Sequence, residues 1–184
     1  MRVFVSGGCK NGKSYYAQRL TAAMGAPRYY IATMVSADAE DDERIARHRA
    51  ERDGLGFETL ELPRDVDRLP DLCDVKGAYL LDSATALLAN EMFRGADYHP
   101  DAHEKVALDI LALINQTLNV VVVSDYIYSD AFIYDEMTEN YRMGLGYIDR
   151  IIAAACDVVV EITLGNATIH KSADGFGELH EKII

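Results

Sequence analysis

The sequence predicts an α/β protein: a mostly parallel sheet with helices on both faces, ending in a C-terminal hairpin. Three observations carry that expectation. Short β-branched runs alternate with helix-compatible stretches along the chain, the pattern of successive β-α-β crossovers. Two runs, Gly77-Ala78-Tyr79-Leu80-Leu81-Asp82 and Asn119-Val120-Val121-Val122-Val123-Ser124-Asp125, are largely apolar and end in an acid, as strands buried on both faces do. Near the end, residues 157–163 and 167–171 face each other across Gly165-Asn166, a two-residue hairpin signal.

Taken in order, Met1-Arg2-Val3-Phe4-Val5-Ser6 is a first strand that empties into Gly7-Gly8-Cys9-Lys10-Asn11-Gly12-Lys13-Ser14. A helix follows over 13–24, with Gly25 as a cap and Pro27 forbidding continuation. Residues 28–33 read as a second strand. Residues 36–52 read as a helix whose acids come first and bases last, which suits the helix dipole, and Gly54 offers its stop. Residues 57–62 alternate as a half-buried strand closed by Pro63, and the mixed stretch 64–76 has room for a short helix. Beyond the strand at 77–82, a helix is expected over 84–93, then a loop over 94–100 punctuated by Gly95 and Pro100. The next helix, 101–117, places Val106, Ile110, Leu113 and Ile114 near one face. A polar, aromatic segment over 126–140 separates the strand at 119–125 from a helix at 141–155, and residues from 172 onward read as a surface tail.

The chain has 184 residues, enough for one substantial core and short for two, so one domain over 1–184 is expected. Its formal charge of −12 argues against a broad nucleic-acid footprint and against anionic membrane surfaces. No apolar stretch is long enough to span a bilayer, and no charged-then-apolar leader precedes the first strand, so membrane insertion and export are not expected. Cys9, Cys73 and Cys156 are odd in number and widely spaced, which reads as reduced thiols in a cytoplasmic protein.

The segment 7–14 fits G-x-x-x-x-G-K-[ST], with a strand before it and a helix after it, which makes the fold P-loop NTPase-like. Gly7 and Gly12 free the backbone to approach a phosphate, and the N–H groups of Gly8, Cys9, Lys10 and Asn11 lead toward a helix N-terminus that favours anions. Lys13 can reach the β and γ phosphates as a catalytic group, and the Ser14 hydroxyl suits Mg²⁺. Lys13 is read as an exposed loop lysine, so its removal should spare folding. The acid that orders Mg²⁺ in such sites ends a neighbouring buried strand. Asp82 and Asp125 both qualify, and each could instead be a helix cap. Ser83 and Thr85 beside Asp82 favour the former.

A second constellation lies in the basic helix. Arg44, His48 and Arg52 fall at i, i+4 and i+8 along one face, with Arg47 and Arg49 flanking. An imidazole between guanidiniums suits a phosphate-bearing ligand and can attack phosphorus; the alternative is a solvated basic face whose arginines pair with nearby acids.

These motifs, in order, together with Tyr30-Ile31-Ala32-Thr33, Asp41-Asp42-Glu43 before Arg44-Ile45, Thr59 and Glu61 after Phe57, and Leu80-Leu81-Asp82 with Thr85 and Asn90, resemble the adenosylcobinamide kinase / adenosylcobinamide-phosphate guanylyltransferase family. The resemblance is densest over about the first 95 residues. It implies phosphorylation of the aminopropanol hydroxyl of adenosylcobinamide by GTP or ATP, then GMP transfer from GTP through a GMP-histidine intermediate. By match, His48 is the nucleophile, and Ala32, Thr33, Met34, Arg49, Arg52, Glu61 and Asp82 line the guanine nucleotide site; the spacing of the basic helix adds Arg44, with Arg52, as a guanidinium that offsets the charge of a phosphate on His48. The resemblance also implies a trimer. Within that densest stretch Phe57 stands where the family carries Trp, and farther on Tyr126 stands where it carries Glu, Glu139 where it carries Arg and Asp149 where it carries Asn. From the residues alone, a P-loop kinase of another small molecule and a non-catalytic nucleotide-binding protein also stay open.

Overall fold

The computed structural model describes the whole chain except residues 72 and 75 and the side chains of Arg44, Pro70 and Asp71. The first strand, β1 (Arg2–Gly7), runs into the Gly-rich loop and then α1 (Lys13–Met24), which ends at Gly25 as expected. β2 (Arg28–Ala32) leads to α2 (Ala39–Glu51), whose N-cap Asp38 accepts a hydrogen bond from Asp41 N at 3.0 Å while Glu40, Asp41 and Asp42 occupy its first turn. Side-chain cap and acids together satisfy the otherwise unpaired N–H groups and the dipole. β3 (Phe57–Glu61) is followed by a 3-10 turn (Val66–Asp71), then β4 (Ala78–Asp82) and α3 (Ala84–Met92).

The expected loop at 94–100 instead contains a small hairpin, β5 (Phe93–Arg94) with β6 (Asp97–Tyr98), turning at Gly95, whose φ of 65° explains the glycine. α4 (Ala102–Gln116) buries Val106, Ile110, Leu113 and Ile114 completely, the four residues that its periodicity had placed together. After β7 (Asn119–Asp125) comes α5 (Glu136–Ala155), which starts five residues earlier than its apolar pattern indicates. Asp135 caps it, accepting from Thr138 N at 3.1 Å and Thr138 Oγ1 at 2.7 Å. β8 (Val158–Thr163) and β9 (Asn166–Lys171) form the expected C-terminal hairpin, turning on Leu164-Gly165 rather than Gly165-Asn166. The tail is not merely surface. It contains α6 (Phe176–Glu181), with Phe176 fully buried and the Tyr16 hydroxyl 2.8 Å from His180 Nδ1.

Seven strands form one sheet in the order β3-β2-β4-β7-β1-β8-β9, parallel except for the antiparallel β9. Strand side chains alternate between two cores. Val3, Val5, Leu80, Val121 and Val123 pack with Tyr16, Leu20 and Phe176 of α1 and α6. Phe4, Leu81, Val120 and Val122 pack with Leu87, Ile110, Leu145 and Ile152 of α3, α4 and α5. Helices thus cover both faces, and the long crossovers leave the carboxyl ends of β1, β7, β4 and β2 side by side, where such sheets bind ligands. α2 is exceptional: among the described residues its side chains are exposed or half-buried, and only its cap, Arg52, is buried.

Candidate functional site

At the carboxyl end of β1 the chain turns through the phosphate loop. Gly12 takes a φ of 89° as the N-cap of α1, and a Cβ on Gly7 would stand 2.3 Å from the backbone oxygen of Ile162 in the neighbouring β8. Both glycines are therefore dictated by geometry, the first by its left-handed conformation and the second by close approach. Lys13 is 5 % exposed, which overturns its reading as an exposed lysine. Its Nζ donates to Gly8 O at 2.7 Å and to Asp125 Oδ1 at 2.6 Å. The pairing exists because β7 lies directly between β1 and β4 in the sheet, bringing the end of β7 against the loop. The Asp125 N–H in turn donates to Thr85 Oγ1 at 2.8 Å.

Beside this pair opens a cavity of about 510 Å³ walled by Ala32, Met34, His48, Arg49, Arg52, Glu61, Asp82 and Asp125. Seven of these eight are expected site residues, drawn from β2, α2, β3 and β4 and from the residues just beyond β2 and α2. Thr33 is not on its wall. It is fully buried and braces the turn beyond β4, accepting from Ser83 N at 2.7 Å and donating to Ser83 O at 2.9 Å, where the Asp82–Ser83 peptide is cis. The loop residues 7–14 also lie outside the wall, joined to it through the Lys13–Asp125 contact; Ser14 is half-buried in the first turn of α1. The Arg44 side chain lies outside the described residues.

The His48 ring contributes to the wall from the last turn of α2. Its Nδ1 is buried without a hydrogen bond, 3.5 Å from Glu51 Oε2. The arginines of the helix divide their roles. Arg47 lies 3.9 Å from Glu51, and Arg49 pairs with Glu61 at 2.8 Å, both largely exposed and so worth little to stability. Arg52 is buried, donates to Thr59 Oγ1 at 3.1 Å and stacks 4.1 Å from the centroid of the Tyr30 ring. The Tyr30 hydroxyl donates to Asp82 Oδ2 at 2.8 Å. Burial, with the neighbouring Asp82 charge, holds the Tyr30 phenol far above its ordinary range, so it stays a donor. Burial lowers the Arg52 guanidinium from a very high starting value, leaving it cationic.

Tyr30, Thr59, Thr85 and Tyr141 also line the wall; Thr85, with Ser83, lies beside Asp82 as its position after the strand indicates, whereas Tyr30, Thr59 and Tyr141 were given no role of their own. Tyr30 had a legible signal, since period two places it on the same strand face as Ala32. Tyr141 had none: its hydroxyl reaches Thr85 O at 2.9 Å only through the folded path of α5.

The donor set suits a hard cation held mainly by phosphate oxygens and water. Around the carboxyl ends of the strands stand the Ser14 hydroxyl in the first turn of α1, the Ser83 and Thr85 hydroxyls, and the carboxylates of Asp82 and Asp125. Among the described residues no three-ligand cluster lies there; the one such cluster, Asp65 with Asp67 and Asp109, is elsewhere. That is the protein share that Mg²⁺ ordinarily takes, one or two oxygens beside the nucleotide's own.

The sequence pattern of the cobinamide kinase / cobinamide phosphate guanyltransferase family matches residues 3–169. The bifunctional adenosylcobalamin biosynthesis protein CobP of Pseudomonas aeruginosa is 29 % identical over 166 residues, covering 90 % of this chain and 94 % of that protein. The bifunctional adenosylcobalamin biosynthesis protein CobU of Salmonella typhimurium is 28 % identical over 181 residues, covering 90 % of this chain and 97 % of that protein. Among solved structures, a prototypical ATPase from the type III secretion system of pathogenic bacteria aligns over 99 % of this chain and 60 % of that chain, at 11 % identity and a TM-score of 0.47. Among the described residues no helix is long and apolar enough to cross a membrane.

Proposed function

The chain belongs to the cobinamide kinase / cobinamide phosphate guanyltransferase family, and on that premise we propose that it phosphorylates the aminopropanol hydroxyl of adenosylcobinamide with GTP or ATP and then transfers GMP from GTP to the product through His48. The single observation that supports this most is the wall of one cavity. An imidazole, two guanidiniums and three carboxylates stand there beside a phosphate loop whose lysine reaches the same edge.

In the first reaction the alcohol oxygen bonds to the γ phosphorus as the bond to the β,γ-bridging oxygen breaks; the nucleoside diphosphate departs and the hydroxyl proton passes to solvent. Lys13 leaves Asp125 for the phosphate oxygens, and the loop N–H groups carry the developing charge. In the second, His48 Nε2 attacks the α phosphorus of GTP and pyrophosphate departs. The Nδ1 edge faces Glu51, so a proton held there leaves Nε2 with its lone pair, and the carboxylate offsets the charge that the ring gains. Arg49 and Arg52 offset the phosphate charge. The acceptor's phosphate oxygen then attacks the same phosphorus and the N–P bond breaks. Mg²⁺, when bound with the nucleotide, supplies charge neutralisation on phosphate oxygens; Ser14 and Asp82 would hold it.

The same proposal includes one P-loop domain over residues 1–184, a cytoplasmic location and a homo-oligomer, as the family resemblance implies. The deciding experiment is incubation with GTP labelled in the α phosphate. Acid-labile, base-stable label on the wild type that is absent from His48→Ala supports the proposal. Cobinamide phosphorylation without any protein label leaves a kinase only. Nucleotide turnover that no corrinoid or other alcohol stimulates points to a binding protein.

A further inference from the structure

We propose that Tyr30 is a positioning residue that sets Asp82 and the His48 helix with a single side chain, holding Arg52 and Asp82 apart so that each faces the cavity. The inference rests on the reading of Asp82 as the cation-ordering acid and His48 as the nucleophile.

Tyr30 lies in β2 opposite Thr59 of β3 and Leu80 of β4. Its ring is 5 % exposed and meets Phe57 edge-on at 6.3 Å, so its place is fixed by packing. Two contacts leave it in different directions. The hydroxyl donates to Asp82 Oδ2 at 2.8 Å, and the ring face receives the Arg52 guanidinium at 4.1 Å. Arg52 caps α2, four residues beyond His48, and its other hold is Thr59 Oγ1 at 3.1 Å. Because α2 is otherwise exposed or half-buried among the described residues, this stacked arginine is its buried attachment to the sheet. The path from the imidazole to the carboxylate is therefore His48, Arg52, Tyr30, Asp82.

The chemistry of the spacing matters as much as the path. A guanidinium and a carboxylate free to meet form a bidentate pair, which would consume the oxygen meant for the cation and the fork meant for phosphate. The phenol ring satisfies each with a different part of itself, a π face for the cation and an O–H for the anion.

Two variants separate the contacts. Tyr30→Phe keeps the ring and loses the hydroxyl; Tyr30→Leu loses both. Melting midpoints without ligand are read first to identify folded protein, and the Mg²⁺ dependence of the GTP-induced midpoint rise is read next. Tyr30→Phe is expected to raise the half-saturating Mg²⁺ concentration about tenfold, the usual cost of removing a group that orients a metal-holding side chain. At saturating Mg²⁺ its His48 labelling rate falls by less than its half-saturating Mg²⁺ concentration rises, because the ring still seats Arg52. Tyr30→Leu, where folded, loses the labelling as well. An unchanged Mg²⁺ dependence in Tyr30→Phe overturns the inference, as does an equal fall of both readouts in Tyr30→Phe. Should the wild type take no label from GTP, the guanylyl reading fails by itself, while the Mg²⁺ midpoint in Tyr30→Phe still tests the Asp82 contact.

Discussion

Replacing Asp149 with Asn should stabilise this protein, and by an amount that depends on pH. Asp149 sits in α5 at 3 % exposure; the Tyr128 hydroxyl donates to its Oδ2 at 2.9 Å, and its Oδ1 is buried without a partner. Burial pushes the carboxyl from an ordinary 3.8 up to about 6, against the nearby Ser124 and Tyr128 hydroxyls and with a further push from the Asp125 charge. Such an acid binds more protons in the native state than in the unfolded one between those values. Stability therefore falls as pH rises from the lower value through the upper, and the full penalty is present above it. The difference corresponds to about 3 kcal/mol.

Asn keeps an acceptor for Tyr128, places an amide where the unpartnered oxygen lay, and cannot ionise. Allowing for amide desolvation, the variant should gain about 2 kcal/mol at about pH 8. For a chain of this size that is a rise of about 4–8 °C in melting midpoint. Urea unfolding across the range reads the gain directly, and it should shrink toward zero near about pH 4. A variant no more stable than wild type at high pH, or a gain that does not vary with pH, would refute the reasoning.

Three further outcomes follow from the geometry. Lys13→Ala leaves Asp125 nearly buried without its cation and should cost about 3 kcal/mol in urea unfolding, much of it recovered in Lys13→Ala with Asp125→Asn; an undestabilised single variant contradicts the pair. Phe176→Ala empties a fully buried site between α6 and α1 and should cost about 3–5 kcal/mol by the same assay; a loss below about 1 kcal/mol would mean that α6 is not docked. Gly7→Ala drives a Cβ into the Ile162 backbone and should cost at least about 2 kcal/mol; wild-type stability there would contradict the close approach of β1 and β8.

Features written in local spacing were legible in the sequence. The phosphate loop, the buried runs of β4 and β7 and the apolar face of α4 each need only a window of a few residues, and the parallel architecture followed from their alternation. Arg49, Arg52, Glu61 and Asp82, which the resemblance assigned to one nucleotide site, line one cavity. What stayed hidden depends on partners far along the chain. The Lys13–Asp125 pair joins residues 112 positions apart and exists because β7 inserts between β1 and β4, an order that strand patterns do not encode. Thr33 reads as a ligand-facing hydroxyl until Ser83 captures it from the next strand. The burial of Phe176 is set by α1, so the tail around it looks polar in isolation. The start of α5 was different: Asp135 followed by Glu136 and Glu139 is a local cap signal, overridden by the aromatic run before it.

The central claim is that His48 carries GMP between GTP and the acceptor. Its most direct test is peptide mapping of the protein after a brief exposure to GTP and Mg²⁺, with and without a chase of phosphorylated cobinamide. The account predicts one GMP adduct, on the peptide containing His48, that disappears on the chase as the GMP-capped product forms. An adduct on another residue, or product formation at the wild-type rate by His48→Ala, would contradict it.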